Sequence, residues 1–423
     1  MNVAFLLIVL ASVVFAAITG TADAVGMAAL GGAKAAVELV LSLAGSITFF
    51  LGLTAIVEEA GGLKLMAKVI RPVMRRLFPE IPADHPAMGA MVMNLAANAL
   101  GLGNAATPFG LKAMKELAKI APRKGEASDA MCLFLAINTS GLAILPTGII
   151  ALRAGLGSTD PAAILPSTLL ATGASTCVGV TAALLLRRLP LFAASPADPD
   201  ATHAAHAAVA WPEPADAGDG APEPPADSWW PLIGVLATLG GLVAAVHVWG
   251  SAASAWILPA LIAGMVGFGA VRGVKVYEAF LVGAKEGFQL ALGIIPYLVA
   301  VLAVVSMLRA SGGIDALVGG VGGVFAAIGF PAEVLPLALL RPLTGSGAFA
   351  ITADLAKTHG VDSAIGLIAT TMNGSTETTF YVLAVYFGSV GVTRARYAVA
   401  AGLAADIAGA AVVSVIAVNW LLL

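Results

Sequence analysis

Charged residues are scarce in this sequence. Asp, Glu, Lys and Arg make up 11% of 423 residues, where a soluble domain carries about 25%. That excludes an ordinary soluble enzyme and a charge-rich disordered chain. There is no basic surplus: the net charge is −3, which excludes a nucleic-acid binder drawn in by its own field. The two cysteines, Cys132 and Cys177, are too few for a disulfide framework. Both lie in apolar segments and read as small buried core residues. His85, His247 and His359 are scattered, and His203 and His206 sit in a polar stretch that reads as solvated. No metal cage is visible, and no cofactor is expected. No Gly-x-Ser-x-Gly, Walker loop or His-Glu-x-x-His occurs, so no catalytic residue is assigned and the chain does not read as an enzyme. No positive charge precedes Lys34. A secretory signal needs one, so residues 2–18 read as an uncleaved first span.

What is present is apolar surface. It accounts for 59% of the residues, with a mean hydropathy of +0.95. Apolar stretches long enough to cross a bilayer dominate, which points to an all-α polytopic membrane protein. One segment breaks this character. Residues 193–228 hold seven prolines and seven acidic residues without a single Lys or Arg. Such a stretch buries too little apolar surface to fold, so it reads as a linker between two membrane halves, 1–192 and 229–423.

The halves repeat each other. Gly32-Ala33-Lys34 matches Gly283-Ala284-Lys285, and Gly61-Gly62 matches Gly312-Gly313, both at an offset of 251. Leu102-Gly103-Asn104 pairs with Thr344-Gly345-Ser346 at 242, and Asn138-Thr139-Ser140 with Asn373-Gly374-Ser375 at 235. Four matches in one order outweigh any single one. Two basic clusters, Lys64 to Arg76 and Lys112 to Lys124, mark a cytoplasmic face. Between them, residues 86–100 would form a helix of only about 22 Å, too short for a core of about 30 Å, followed by the breaker Gly101-Leu102-Gly103-Asn104. A segment that enters and leaves by the same basic face is a re-entrant hairpin, here 86–110.

Carrying the orientation along gives nine full spans: 2–18, 36–58, 129–152, 163–186, 229–249, 254–271, 284–308, 363–388 and 397–421. This places 17 of the 22 basic residues in the cytoplasm. Span 36–58 and its repeat 284–308 then run in opposite directions. The repeats are therefore expected to be inverted, with the second broken segment, 331–355, entering from the other face, a plan common in secondary transporters. The parity depends on span 254–271 crossing fully. The stretch 64–78 has basic and apolar residues at helical spacing. It suits an amphipathic helix on the anionic inner leaflet, or equally a basic helix packed on the bundle.

Polar groups in lipid must face protein, water or ligand. Four constellations follow. The first is Asn94, Asn98, Asn104 and Thr107 in the first hairpin, with Asn94 and Asn98 on one helical face. The second is Asn138, Thr139 and Ser140. The third is Arg341, Thr344 and Ser346, followed by Thr352 and Asp354. The fourth is Asn373, Ser375, Thr376 and Glu377, with Thr378 and Thr379 beyond. Half-helix N-termini at breaks attract anionic or accepting groups, and freed carbonyls suit cations. These residues read as a solute-binding pocket. The bland alternative is that they glue helices together by interhelical hydrogen bonds. Glu377 is expected to pair with Arg341, stay protonated, or bind substrate. Asp354 lies nearer the outer end, where solvation would satisfy it.

Several stretches resemble a known family. Asp84-His85-Pro86-Ala87-Met88-Gly89, Asn94-Leu95-Ala96-Ala97-Asn98, Gly101 to Pro108 with Lys112-Ala113-Met114, and Ile137-Asn138-Thr139-Ser140 resemble spore maturation protein A. Pro331 to Pro342 and Gly374 to Gly388 resemble spore maturation protein B. The resemblance implies two Gate, or nucleoside-recognition, domains of a kind shared with concentrative nucleoside transporters and with the membrane part of ferrous-iron transporters. It implies two inverted Gate-like repeats joined by the acidic linker. In endospore formers the two proteins are separate chains implicated in dehydration of the spore core.

The combined expectation is a multi-pass protein of a bacterial cytoplasmic (inner) membrane. It would act as a transporter or channel for a small polar solute, nucleoside-like or a small organic acid. Its partners would be membrane lipid and that solute, without nucleic acid, and self-association stays open. The alternative is a non-transporting scaffold for envelope or spore assembly.

Overall fold

The computed structural model describes residues 2–141, 143–193, 229–249, 251–313, 316 and 329–422. The expected linker, except Ala193, lies outside the described residues, and so do His203 and His206. Among the described residues the fold is all-helical, with one isolated bridge between Glu126 and Arg394.

The first half runs α1 (Asn2–Thr19), α2 (Ala22–Glu59), α3 (Gly62–Leu77), α4 (Pro86–Ala99), α5 (Gly103–Ile120), α6 (Asp129–Thr139), α7 (Thr147–Gly155) and α8 (Leu165–Leu186). The second runs α9 (Trp230–Trp249), α10 (Ser251–Val271), α11 (Val276–Ala310), α12 (Leu335–Leu340), α13 (Gly345–His359), α14 (Ala364–Ser375) and α15 (Thr379–Gly388). It ends with α16 (Ala398–Ala404), a π-helical stretch Ala405–Val412 and α17 (Val413–Leu421). Each half thus holds a long helix, then a helical hairpin, then an interrupted helix: α2, α4–α5 and α6–α7, against α11, α12–α13 and α14–α15.

Local chemistry sets the boundaries. Pro86 opens α4, where its missing N–H costs nothing, and His85 Nδ1 accepts the Ala87 N–H at 3.1 Å. Ser128 caps α6 and Ser363 caps α14, each through its hydroxyl to an N–H three residues on. Such a cap stabilises a helix by about 1 kcal/mol.

Helices α2 and α11 pack antiparallel and very closely. A Cβ added at Gly32 would lie 2.6 Å from the Leu302 carbonyl oxygen, and one at Gly287 would lie 2.8 Å from the Cα of Thr48. Only glycine allows the two backbones this approach. Within α11, Val276–Gly293 and Leu298–Ala310 bend by 41°, with Pro296 at the bend removing a backbone donor. One apolar core joins α2, α7, α11, α13, α14 and α17, and a second joins α3–α6 to α15 and α16.

Apolar side chains also cover the outside. In α9 only Val246 is buried, while Trp230, Ile233, Leu236 and Trp249 are exposed; a helix apolar all round is suited to lipid. By length and composition, four helical stretches among the described residues could cross a membrane: Ala22–Glu59, Leu165–Leu186, Trp230–Trp249 and Ala398–Leu421. The bent α11 makes a fifth.

Two of the nine spans expected from the sequence are not continuous. The stretch 129–152 breaks after Thr139, and 363–388 breaks at 376–378. Gly141 and Pro146 explain the first break, because a left-handed glycine ends a helix and a proline restricts the residue before it. Both helix–break–helix segments are present: the first has a longer second arm than expected, ending at 120 rather than 110, and the second is shifted by four residues, 335–359 against 331–355. Cys132 is buried as expected, but Cys177 on α8 is exposed.

Candidate functional site

The two interrupted helices cross at their breaks. Gly141 has φ +66, a left-handed conformation that favours glycine, and a Cβ there would lie 2.6 Å from the Thr376 Cα. At this crossing the Glu377 N–H donates to the Thr139 carbonyl at 3.0 Å. Thr376 is extended, with φ −137 and ψ 169, so the second break is held open by the chain it meets.

Each hairpin tip touches the break of its own half by a similar bond. The Ile144 N–H donates to the Ala99 carbonyl (3.0 Å), and the Phe380 N–H donates to the Pro342 carbonyl (2.9 Å). At the first tip Gly101, φ +73, lies against the Leu145 carbonyl, 2.7 Å from where a Cβ would stand. At the second, a Cβ on Gly345 would lie 3.0 Å from the Thr378 hydroxyl. The N-termini of α13 and α15 therefore meet at the crossing.

The outer ends are pinned as well. Arg153 of α7 is wholly buried and pairs with Asp362, just before α14, at 2.7 Å. Its guanidinium also donates to the carbonyls of Asp160, Pro161 and Val361. At the other end, residues 125–129 before and at the start of α6 meet residues 393–397 after α15. The Ala127 N–H donates to the Arg394 carbonyl at 3.0 Å, and Arg396 pairs with Asp129 at 2.7 Å. The end of α6–α7 thus adjoins the start of α14–α15, and the reverse, so the interrupted helices run antiparallel.

The expected site residues divide into three groups. In the first are polar groups that meet across elements. Asn94 is buried; its Nδ2 donates to the Ala106 carbonyl (2.8 Å) and the Tyr386 hydroxyl (3.1 Å), while its Oδ1 has no partner. The Asn98 Nδ2 donates to the Asn138 Oδ1 (3.0 Å), which also accepts from the Tyr386 hydroxyl (3.4 Å). The Asn373 Nδ2 donates to the Thr352 hydroxyl (3.0 Å).

A second group bonds locally. The hydroxyls of Thr139, Ser140 and Ser375 each donate to a carbonyl three residues back. The Thr344 hydroxyl caps α13 by accepting the Gly347 N–H at 3.1 Å, with the half-buried Ser346 hydroxyl 3.5 Å away. These residues shape the breaks rather than present free polar atoms. Thr107 is half-buried on α5. Asn104 starts α5, and its side chain lies outside the described residues.

The third group surrounds the second break. Arg341 is 5% exposed, and its Nη1 donates to the Thr378 hydroxyl at 3.3 Å. The Thr376 hydroxyl is buried, interacts with the Asp406 carboxylate and has no other partner among the described residues. Glu377 is exposed, and no ion pair joins it to Arg341, although each lies within range of the other's charge. Of the alternatives expected for Glu377, the pairing with Arg341 is not formed. Asp354 is not simply solvated; it pairs with Arg309 at 2.7 Å.

Asp406 was not singled out in the sequence. It sits in the π-helical stretch, 4% exposed, and its Oδ2 accepts the Thr379 hydroxyl at 2.7 Å, while the Thr376 hydroxyl also interacts with the carboxylate. As the one acidic residue in 397–421, its cost in a membrane span was the available signal. Tyr386 and the Arg153–Asp362 pair carried no comparable mark. No group of three metal-ligating side chains occurs among the described residues. A cleft of about 420 Å³ lined by Glu80, His85, Arg123, Glu126, Asp129 and Arg396 lies at the far end of α6, away from the crossing.

The family model described as nucleoside recognition (Gate) matches residues 40–156 and 291–393. These ranges hold both hairpin tips and both breaks. The chain is 46% identical over 165 residues to spore maturation protein B of Bacillus subtilis (strain 168), covering 39% of this chain and 92% of that protein. It is 42% identical over 171 residues to spore maturation protein A of the same organism, covering 40% of this chain and 87% of that protein.

Proposed function

Because the chain belongs to the Gate, or nucleoside-recognition, family and carries likeness to both spore maturation proteins in one polypeptide, we propose that this membrane protein passes a small polar solute, nucleoside-like or a small organic acid, across a bacterial cytoplasmic membrane. The observation that carries the reading is the crossing of the two breaks. Among the described residues, Asn94 Oδ1 and Arg341 Nε are buried there or beside it without a partner, and Thr376 Oγ1 and Asp406 Oδ1 are buried with little beyond their interaction with each other. Each unmet buried group costs about 1–3 kcal/mol. A fold kept only for stability has no use for such groups in one region, whereas a solute with hydrogen-bonding groups satisfies them.

The proposed topology has nine crossings, counting each interrupted helix as one, and two inverted repeats. The antiparallel course of α2 and α11, and of the interrupted helices, supports it. In this reading the hairpins enter from opposite faces, and one repeat rocks against the other around the crossing. The amide and hydroxyl groups bind the solute, and the half-helix N-termini orient its accepting groups.

The test is thermal unfolding of the purified full-length protein with uridine and with succinate as probes. Ligand at about 100 times its dissociation constant stabilises by roughly 2.7 kcal/mol. At least one probe should raise the unfolding temperature, and Thr376→Val should remove the effect at a small cost to the unliganded protein, which loses only the interaction of that hydroxyl with Asp406. No shift with either probe, and a protein partner that co-purifies instead, would favour the scaffold reading and overturn this one.

A further inference from the structure

Arg341 is placed as a side chain that reads a ligand. Guanidinium is always charged and offers five N–H donors in a planar fork. In this protein it is 95% buried, yet its only hydrogen bond among the described residues runs from Nη1 to the Thr378 hydroxyl. The Nε atom is buried without an acceptor. A buried Arg left this way is unusual, as the contrast with Arg153 shows. Arg153 is equally buried, but all three of its guanidinium nitrogens find acceptors, including the Asp362 carboxylate.

The edge of the fork carrying Nε and Nη2 is the one that matches the two oxygens of a carboxylate. The protein has two carboxylates close enough for their charges to reach Arg341, Glu377 and Asp406, and neither forms an ion pair with it. Glu377 turns outward and is exposed, while Asp406 spends one oxygen on Thr379. Arg341 also stands at the tip between α12 and α13, beside the N-termini of α13 and α15, whose helix dipoles favour negative charge.

Resting on the solute-carrier reading above, we propose that the solute bears a carboxylate and that Arg341 holds it through its Nε edge, with the buried Thr376 hydroxyl at the second break as a further donor. The nearby Glu377 and Asp406 disfavour a dianionic phosphate more than a monoanion, because like charges in a low-dielectric site repel strongly. A singly charged carboxylate end is therefore the matching chemistry. A neutral nucleoside would leave the guanidinium edge unmet.

The test compares benzoate with benzamide, and propionate with propionamide, as probes of thermal stabilisation of the full-length protein. Uridine and inorganic phosphate form the neutral and the dianionic arms. The acids should bind and the amides should not. Arg341→Lys keeps the charge but loses the fork, and should weaken the acids roughly 10- to 100-fold. Glu377→Gln should leave or strengthen them. Thr378→Val, which frees Nη1 without touching the charge, provides a second variant should Arg341→Lys fold poorly.

Equal binding of acid and amide by the unmodified protein, or binding of uridine or phosphate in preference to the acids, would overturn the assignment while leaving a solute site at the crossing intact. No stabilisation by any of these probes would remove both.

Discussion

Alanine at Gly141 provides a direct probe of the crossing. Its backbone is left-handed, which costs a residue with a Cβ about 1–2 kcal/mol. The new Cβ would also stand 2.6 Å from two Thr376 backbone atoms and 2.7 Å from the Glu377 nitrogen. Backbone cannot rotate away as a side chain can, so a further ~1–3 kcal/mol of overpacking is expected. Gly157 is the control. It has φ +79 and nothing within 4 Å of an added Cβ, so alanine there pays only the ~1–2 kcal/mol conformational cost. The difference between the two variants isolates the contact between the breaks. Unfolding followed by tryptophan fluorescence in detergent should place Gly141→Ala below Gly157→Ala by roughly 1–3 °C. Solute-dependent stabilisation should survive in Gly157→Ala and fail in Gly141→Ala. Equal unfolding temperatures, with equal solute responses, would refute the crossing.

The pinned ends make their own predictions. Asp362→Asn leaves the buried Arg153 guanidinium without its counter-charge. We expect a loss of about 2 kcal/mol, below the ~3–5 for a dry pair, because 37% of the Asp362 side chain is exposed and water screens the interaction. Partial burial pushes the Asp362 carboxyl up. The Ser158 hydroxyl, the N–H and hydroxyl of Thr159 and the Arg153 charge pull it down further, leaving it below the ordinary carboxylate range. A depressed folded value means the contribution is complete above the unfolded value of about 3.9 and is lost as pH falls through the folded one. Acid unfolding curves of Asp362→Asn should lack that limb. Tyr386→Phe removes the hydroxyl that joins Asn94 to Asn138. It should cost about 1 kcal/mol in thermal unfolding and, by leaving one lone pair of Asn138 Oδ1 unmet while Asn98 still donates to it, alter solute affinity more than stability.

Much of this arrangement was legible in the sequence because it rests on length and breakers. A 15-residue apolar run before Gly101 is too short to cross, and it forms the first arm of a hairpin. The pairing of Asn138 with Asn373 was visible as a repeat, and both residues sit just before a break. The interruption of 129–152 was marked by Gly141 and Pro146 but hidden by the apolar residues between them, which satisfy a hydropathy window whether or not they are helical. The second break had no such marker. Thr376, Glu377 and Thr378 leave the helix because Glu377 finds the Thr139 carbonyl from the other half, a contact no local pattern encodes. The same holds for Arg153 and Asp362, partners 209 residues apart. Polar identity alone did not separate hydroxyls that bond back to their own helix, as in Thr139 and Ser375, from those that meet another element, as Thr379 meets Asp406.

The account depends on two arms that open toward opposite faces of the membrane. Single cysteines at exposed positions report this directly, one at Lys124 beside the open end of the first hairpin and one at His359 at the open end of the second, with Cys132 and Cys177 replaced by alanine. A membrane-impermeant maleimide applied to intact cells should label the position 359 variant, and should reach position 124 only after the membrane is permeabilised. Labelling of both positions from the same side would contradict the inverted arrangement and, with it, the meeting of the two breaks as a path for solute.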